Sequence, residues 1–422
     1  MNESLQKIRS QSVSITADNV PMWLARANSS ANLVVHGVLK ARRSLPFYCS
    51  PAIIFVVNWV LMLCSLRAQV TYVTYPFLGI PLLLCCLSMS SFFLGYLVSR
   101  ALFHRLPGDD QPILYALDVT RLWNLNLLLC SVALLIVAFN WITLGPPPAL
   151  GDPTSYLTYG RFKQVLFPLL VSIVVNATLD PSRRRAALFA LFGITGLGLY
   201  ISRGLLMVAL LQAFFVFSLR TSLSKRTLHA LVLGFLVFAV TAVTVIGNVR
   251  TSQGVFLEYL QIRPRYFGWP TAYLWVTSYI SIPFSNLCWF FTRAGFHSPT
   301  LAFLYPLLPS FLMPAYPHAA IGQDLKIIDG ASTYLAGYAL DFSYLGVYLA
   351  NLVLGFGCGW LVEKLMPKGI LIAAILLTCL SFIFFSDMFL PLSTIIQLMI
   401  QSAVMERCFR FAGNQNERVL AQ

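Results

Sequence analysis

Residues 186–219 read AALFALFGITGLGLYISRGLLMVALLQAFFVFSL, two apolar runs without a charge, parted by Ser202 and Arg203. Each run, 186–201 and 204–219, holds 16 residues. A helix rising 1.5 Å per residue covers about 24 Å over that length, slightly less than the roughly 30 Å of a bilayer's hydrocarbon core. Two such runs back to back read as a membrane hairpin with Arg203 at its tip. A charge set there costs free energy, so its presence asks for a reason.

The rest of the chain has the same character. Hydrophobic residues make up 58% of the chain and charged residues 10%, with a mean hydropathy of +0.75. Soluble domains are about one-quarter charged. The expected fold class is therefore an all-α polytopic membrane protein. Apolar runs between charged punctuation mark about ten transmembrane helices, near 47–66, 76–98, 122–144, 162–179, 186–201, 204–219, 228–247, 334–362, 369–386 and 388–404. Asp387 alone divides the last two.

This layout divides the chain into a polar, basic tail (1–45), seven spans (46–247), a long connection (248–333), three spans (334–404) and a second tail (405–422). The first tail lacks the pattern of a cleaved leader, so the first span is expected to stay inserted. Residues 20–40 carry a weak amphipathic helical pattern. The net charge of +14 does not point to nucleic acid, because no basic run is interleaved with stacking aromatics. Most of the nine cysteines lie inside apolar runs and no CxxC occurs, so they read as packing residues rather than a metal or disulfide framework.

Lysine and arginine set the orientation. With ten spans, 20 of the 29 basic residues fall on one side, among them Arg42, Arg43, Arg100, Arg121, Arg183, Arg184, Arg185, Arg220, Lys364 and Arg407. The positive-inside rule places that side, and both termini, in the cytoplasm. Arg67, Arg161, Lys163 and Arg203 then face outward, as does the whole of 248–333. That connection is too polar to span, and its stretch TAYLWVTSYISIPFSNLCWFF (271–291) reads as an amphipathic or re-entrant helix in the outer interface.

The outward polar residues each carry two readings. Arg203 is either a headgroup anchor or, with Gly204 opening the next helix's N-terminus, a receptor for phosphate oxygen. Arg250, Arg263 and Arg265 fit a lipid or sugar phosphate as well as they fit an interfacial belt, and Arg293 reads as a plain anchor. Asp341, at the start of the eighth span, is a functional carboxylate or one favoured by the helix dipole. His318 is a general base or a solvated loop histidine, and Glu258 and Asp324 are most simply loop charges. Tyr266, Trp269, Tyr273 and Tyr279 suit interfacial packing. Gly355, Gly357 and Gly359 read as close helix packing.

Three pieces, in order, resemble the Wzy-type O-antigen and oligosaccharide repeat-unit polymerases of bacterial inner membranes. They are the short helix pair around ISRGLL (201–206), the Tyr-x-x-x-Pro stretch in SYISIPFSN (278–286), and STYLAGYALDFSYLGVYLANLVLGFGCG (332–359). Together they cover about a fifth of the chain. Ser343 stands where a glycine commonly follows the family's Asp–aromatic pair. The resemblance implies a GT-C-like glycosyltransferase that moves a growing glycan from undecaprenyl pyrophosphate to a new lipid-linked repeat unit at the periplasmic face, without a metal or other cofactor. A chain-length regulator is an implied partner. In that reading Arg203 and Arg250 grip the pyrophosphate, Arg263 or Arg265 assists, and Asp341, Glu258 and His318 are ranked candidates for the base. The alternatives are an O-antigen ligase acting on lipid A–core and a lipid-linked oligosaccharide flippase or transporter. The latter calls for mid-span charge, which is nearly absent here.

Overall fold

The computed structural model describes residues 35–41, 46–103, 113–152, 155, 159, 162–220, 225–250, 261–293, 302–308, 333–365, 369–384 and 388–411. Glu258 and His318, and the side chain of Arg250, lie outside these described parts. Eleven α-helices are present among the described residues: α1 (Pro51–Ala68), α2 (Gly79–Phe103), α3 (Val119–Leu144), α4 (Lys163–Ala177), α5 (Arg183–Leu199), α6 (Arg203–Arg220), α7 (Lys225–Arg250), α8 (Thr271–Arg293), α9 (Ala336–Trp360), α10 (Ile370–Ser381) and α11 (Leu392–Cys408).

Every one of the ten apolar runs contains a helix. Six helical segments are long and apolar enough to cross a membrane, Pro51–Ala68, Gly79–Phe103, Val119–Leu144, Arg203–Arg220, Arg226–Val245 and Ala336–Glu363. Two of the shorter ones, Lys163–Ala177 and Ile370–Ser381, are also apolar. Large apolar side chains turn outward along this surface, including Leu135, Ile142, Leu188, Leu191, Leu233 and Val353. Such an exterior suits lipid rather than water.

Where residues 20–40 suggested a helix, Val35–Ala41 is instead a strand, β1. It pairs antiparallel with β2 (Ile113–Asp118), which pairs in turn with β3 (Phe409–Phe411). The two valines of VHGVL favour a pleat once a partner strand is present. This small ribbon gathers the start of α3 and the end of α11 at one end of the bundle.

α2 and α9 run parallel at close range. A side chain added at Gly355 would meet the Phe92 carbonyl, and one at Gly95 would meet that of Leu352. At Gly359 it would come within 2.7 Å of the Tyr96 carbonyl. Small residues let backbones approach where hydrophobic driving force between helices is weak. Gly357, by contrast, faces open space and takes no part. The pair is closed at one end by Arg100 Nε to Glu363 Oε1, 2.7 Å, and braced midway by Asn351, whose Nδ2 donates to Ser88 Oγ at 3.2 Å.

α8 matches the expected 271–291 helix, and its contacts show how it lies. Trp275 Nε1 donates to Asn248 Oδ1 near the end of α7 (3.2 Å). Fourteen residues on, Trp289 Nε1 donates to the Val73 carbonyl in the α1–α2 turn (2.9 Å). Both ends of α8 thus sit at the same end of the bundle, while Phe284 between them meets Trp59, halfway along α1.

Candidate functional site

The α5–α6 turn is made by a Schellman-type cap. Ser202 N–H bonds the Leu197 carbonyl (3.2 Å) and Ile201 N–H that of Gly198 (2.9 Å), with Ile201 left-handed at φ 50°. Glycine is the usual residue there, and a β-branched one is strained. This tight stop lets α6 begin at once, with Arg203 as its first residue. The 145–151 loop covers the turn through the Ala149 N–H to the Leu199 carbonyl (3.1 Å). Tyr159 OH donates to Gly145 O (2.6 Å), and burial raises its pKa, so the phenol keeps the proton it donates.

Arg203 is half-buried. Its guanidinium carbon lies 4.9 Å from the Trp275 ring centroid and 4.3 Å from that of Tyr279. Nη1 donates to the Val243 carbonyl at 3.3 Å. Three helices, α6, α7 and α8, therefore meet at this one side chain, and each cation–π contact contributes about 0.5–2 kcal/mol as water is excluded. Gly204 next to it is exposed, with nothing within 4 Å of the Cβ position. Of the first amides of α6, Arg203 N–H meets Ile201 O (3.2 Å) and Leu206 N–H meets Ser202 O (3.0 Å), while the space beside Gly204 is open.

Arg263 and Arg265 are held differently. Thr71 and Ile262 form an antiparallel bridge that fastens the 261–266 segment across the end of α1. Arg263 Nε then donates to Thr71 O (3.2 Å), while Arg265 Nη2 donates to Ala68 O (3.2 Å). The Tyr266 hydroxyl also bonds Ala68 O. Arg265 and Tyr266 satisfy a carbonyl that the C-terminus of α1 leaves open. Arg265 remains exposed, in a patch with Tyr72, Phe267, Trp269 and Tyr273.

One satellite apolar cluster joins the two arrangements. Val70, Ile262, Leu274, Trp275 and Ile282 form it, with Val243, Tyr266 and Tyr279 packed against it. The structure thus brings together Arg203, Arg263, Arg265, Tyr266 and Tyr279 around a common core, with Trp269 5.3 Å from Tyr266, ring to ring.

Asp341 belongs to another part of the same end. It is buried, and Oδ2 accepts the Phe303 N–H at 3.1 Å. Two residues on, Ser343 breaks the helical dihedrals of α9 with φ 52° and ψ −137°. Tyr344 stacks on Phe291 near the end of α8 (4.3 Å, 23°). Tyr279 and Phe291 are 12 residues apart, about 18 Å along a helix. Arg203 and the Tyr344 stack thus meet different ends of α8.

The sequence reading missed Trp275 as a partner of Arg203, although its i,i+4 spacing from Tyr279 on a helix was a usable signal. It also missed Phe303, whose role depends on a backbone N–H that side-chain chemistry does not announce. No family model, curated protein or solved structure matches this chain.

Proposed function

We propose that the chain is a bacterial inner-membrane polymerase of glycan repeat units, with ten spans, both termini in the cytoplasm and its site at the periplasmic face. The observation that carries this reading is Arg203, placed as the first residue of α6 between two aromatic rings. An approachable helix N-terminus lies beside it at Gly204. A fixed guanidinium next to helix N–H groups is a receptor for a multiply charged phosphate, and the resemblance around ISRGLL supplies the diphosphate.

In this reaction the bond between the donor glycan's anomeric carbon and the diphosphate oxygen breaks. The diphosphate leaves with the electron pair. The acceptor sugar's hydroxyl oxygen forms the new glycosidic bond and its proton passes to a base. Arg203 and Arg250 hold the leaving diphosphate, with Arg263 or Arg265 assisting, because preorganised positive charge acts on the charge that develops there. Asp341, Glu258 and His318 are the ranked bases. Tyr266, Trp269 and Tyr279 offer aromatic faces to the sugars, and the length of α8 suits an extended lipid-linked oligosaccharide.

The test is Arg203→Ala in cells making a repeat-unit polymer. Long-chain polysaccharide is expected to vanish while the protein still inserts and single-repeat product persists. An unchanged chain-length ladder would refute the diphosphate role. Given lipid A–core as acceptor in a reconstituted assay, a polymerase ignores it and lengthens chains; transfer onto it would make the chain a ligase.

A further inference from the structure

A second set of polar groups lies far from Arg203, inside the bundle, where α3, α4 and α11 pack together. Asn126, Ser172, Asn176 and Gln401 are all 0% exposed. Asn176 Nδ2 donates to Asn126 Oδ1 at 3.0 Å. The Asn126 Nδ2, the Asn176 Oδ1, the Ser172 Oγ and both amide atoms of Gln401 have no hydrogen-bond partner. Leaving so many buried polar atoms unmatched is costly, so the concentration in one place calls for a cause.

The backbone puts these groups at one depth. Leu117 pairs with Phe409 in the ribbon, so α3 and α11 leave it side by side. Asn126 is nine residues beyond Leu117 and Gln401 eight before Phe409, which matches their heights to within a helical turn. On α4, Leu170 and Val174 face α5, where Gly193 sits against them. Ser172 and Asn176 lie two residues on from these, about 200° round the helix, and point away from α5 toward Asn126. One turn from Gln401, Gln397 exchanges bonds with Gln212 of α6 at 2.5 and 3.2 Å. A carboxamide seam thus crosses the core.

The unmatched set mixes donors with acceptors: amide nitrogens on Asn126 and Gln401, oxygens on Asn176 and Gln401, and a hydroxyl on Ser172 that does either. A metal cation would satisfy only the oxygens, and an anion only the N–H groups. A guest that both donates and accepts, and is small enough for a fully buried place, is water. We propose that Asn126, Ser172, Asn176 and Gln401 form an internal binding site for ordered water that ties α3, α4 and α11 together. The proposal is independent of the glycan reading.

The test uses the full chain in detergent, heated at a fixed scan rate. Gln401→Met keeps the side-chain length and removes the amide. Around bound water it is expected to lower the apparent melting temperature by several degrees, with Ser172→Ala acting in the same direction. If the site is dry, Gln401→Met removes an unmatched amide and raises the melting temperature, which overturns the proposal. Repeating the scans in sodium, potassium and choline chloride adds a second check: a cation-dependent shift that Gln401→Met abolishes assigns the site to a cation instead. The unmodified protein gives a third readout, by X-ray radiolysis and mass spectrometry. Bound water makes radicals in place, so oxidation is expected at Leu122, Val175 or Val404, each 0% exposed. Clean peptides at all three would count against water.

Discussion

Arginines lie over aromatic rings at both ends of the helical bundle, Arg100 over Tyr96 and Arg185 over Trp123 at the first, but the ends differ in their ion pairs. At one end arginines meet carboxylates: Arg100 with Glu363 at 2.7 Å, Arg121 with Asp118 at 3.1 Å and Arg185 with Asp180 at 3.1 Å. At the other, Arg203, Arg263 and Arg265 meet aromatic faces and backbone carbonyls. The backbone differs too. Gln69, Phe162, Ile201, Gln261 and Ser343 are the non-glycine residues with positive φ among the described residues, and all five belong to the second end. Strained dihedrals persist only where the surroundings hold them, and they gather at working sites. Ion pairs finish the first end electrostatically; at the second, aromatic rings and backbone carbonyls help to hold the guanidinium groups.

The sharpest way to break this comparison is at Arg203. Arg203→Met keeps the apolar stem and removes the charge, and polymer output is expected to fall about 100-fold or more, the usual scale for losing a donor to developing negative charge. Arg203→Lys keeps the charge but loses the planar fork and should fall in between. Equal output from all three, read on a chain-length gel with insertion controlled by blotting, would reduce Arg203 to a strut between α6, α7 and α8.

The ion-paired end should respond in stability instead. Glu363 is buried and Arg100 half-exposed, with side-chain exposures of 8% and 46%. Arg100→Met strands a buried carboxylate and is expected to cost about 2–3 kcal/mol, the range for breaking a buried pair discounted for the exposed partner. Glu363→Gln leaves the arginine its access to solvent and should cost less. Chemical denaturation of the two variants in detergent measures that asymmetry, and polymer length per folded molecule should not move.

These contrasts mark what the sequence could reveal. The apolar runs located helices well, because a bilayer demands uninterrupted hydrophobic length, and Arg203 was conspicuous because it alone interrupts two such runs. The helix at 271–293 was legible from the 271–291 stretch. The partners were not. Val243, Trp275 and Thr71 meet the arginines through tertiary contacts between distant segments, and a backbone carbonyl has no signature in the sequence. The carboxamides Asn126, Asn176 and Gln401 were passed over for a related reason: attention to charge inside spans does not register neutral amides. Residues 35–41 went the other way, taken up by pairing with a strand about 75 residues later, beyond the reach of local pattern.

Strain offers a smaller perturbation at the second end. Ser343 holds φ 52° and ψ −137°, a region comfortable only for glycine. Ser343→Gly should relieve that cost, about 1–3 kcal/mol, less roughly 0.5–1 kcal/mol for the freer unfolded chain. The net expectation is a gain of about 1 kcal/mol, seen as a higher denaturation midpoint. The Phe303 N–H bond to Asp341 should survive, because the break in α9 is kept. A loss of stability would mean that the serine side chain holds the break in place.

The smallest effect is expected at Arg265, and it separates the two ways an arginine is used at this end. Its Nη2 bonds the carbonyls of Ala68, the last residue of α1, and of Gln69 just beyond it at 3.2 and 3.4 Å, while the side chain stays exposed. A cation at a helix C-terminus contributes a few tenths of a kcal/mol when salt and water screen it. Arg265→Ala should therefore shift stability by about 0.5 kcal/mol or less, and raising the salt concentration should erase even that. Under the proposed reading, in which Arg265 assists and Arg203 grips, polymer length should shorten modestly. If Arg265→Ala matched Arg203→Met in lost polymer, the diphosphate would sit over the end of α1, and the aromatic-held arginine at the head of α6 would be the support for that site rather than its centre.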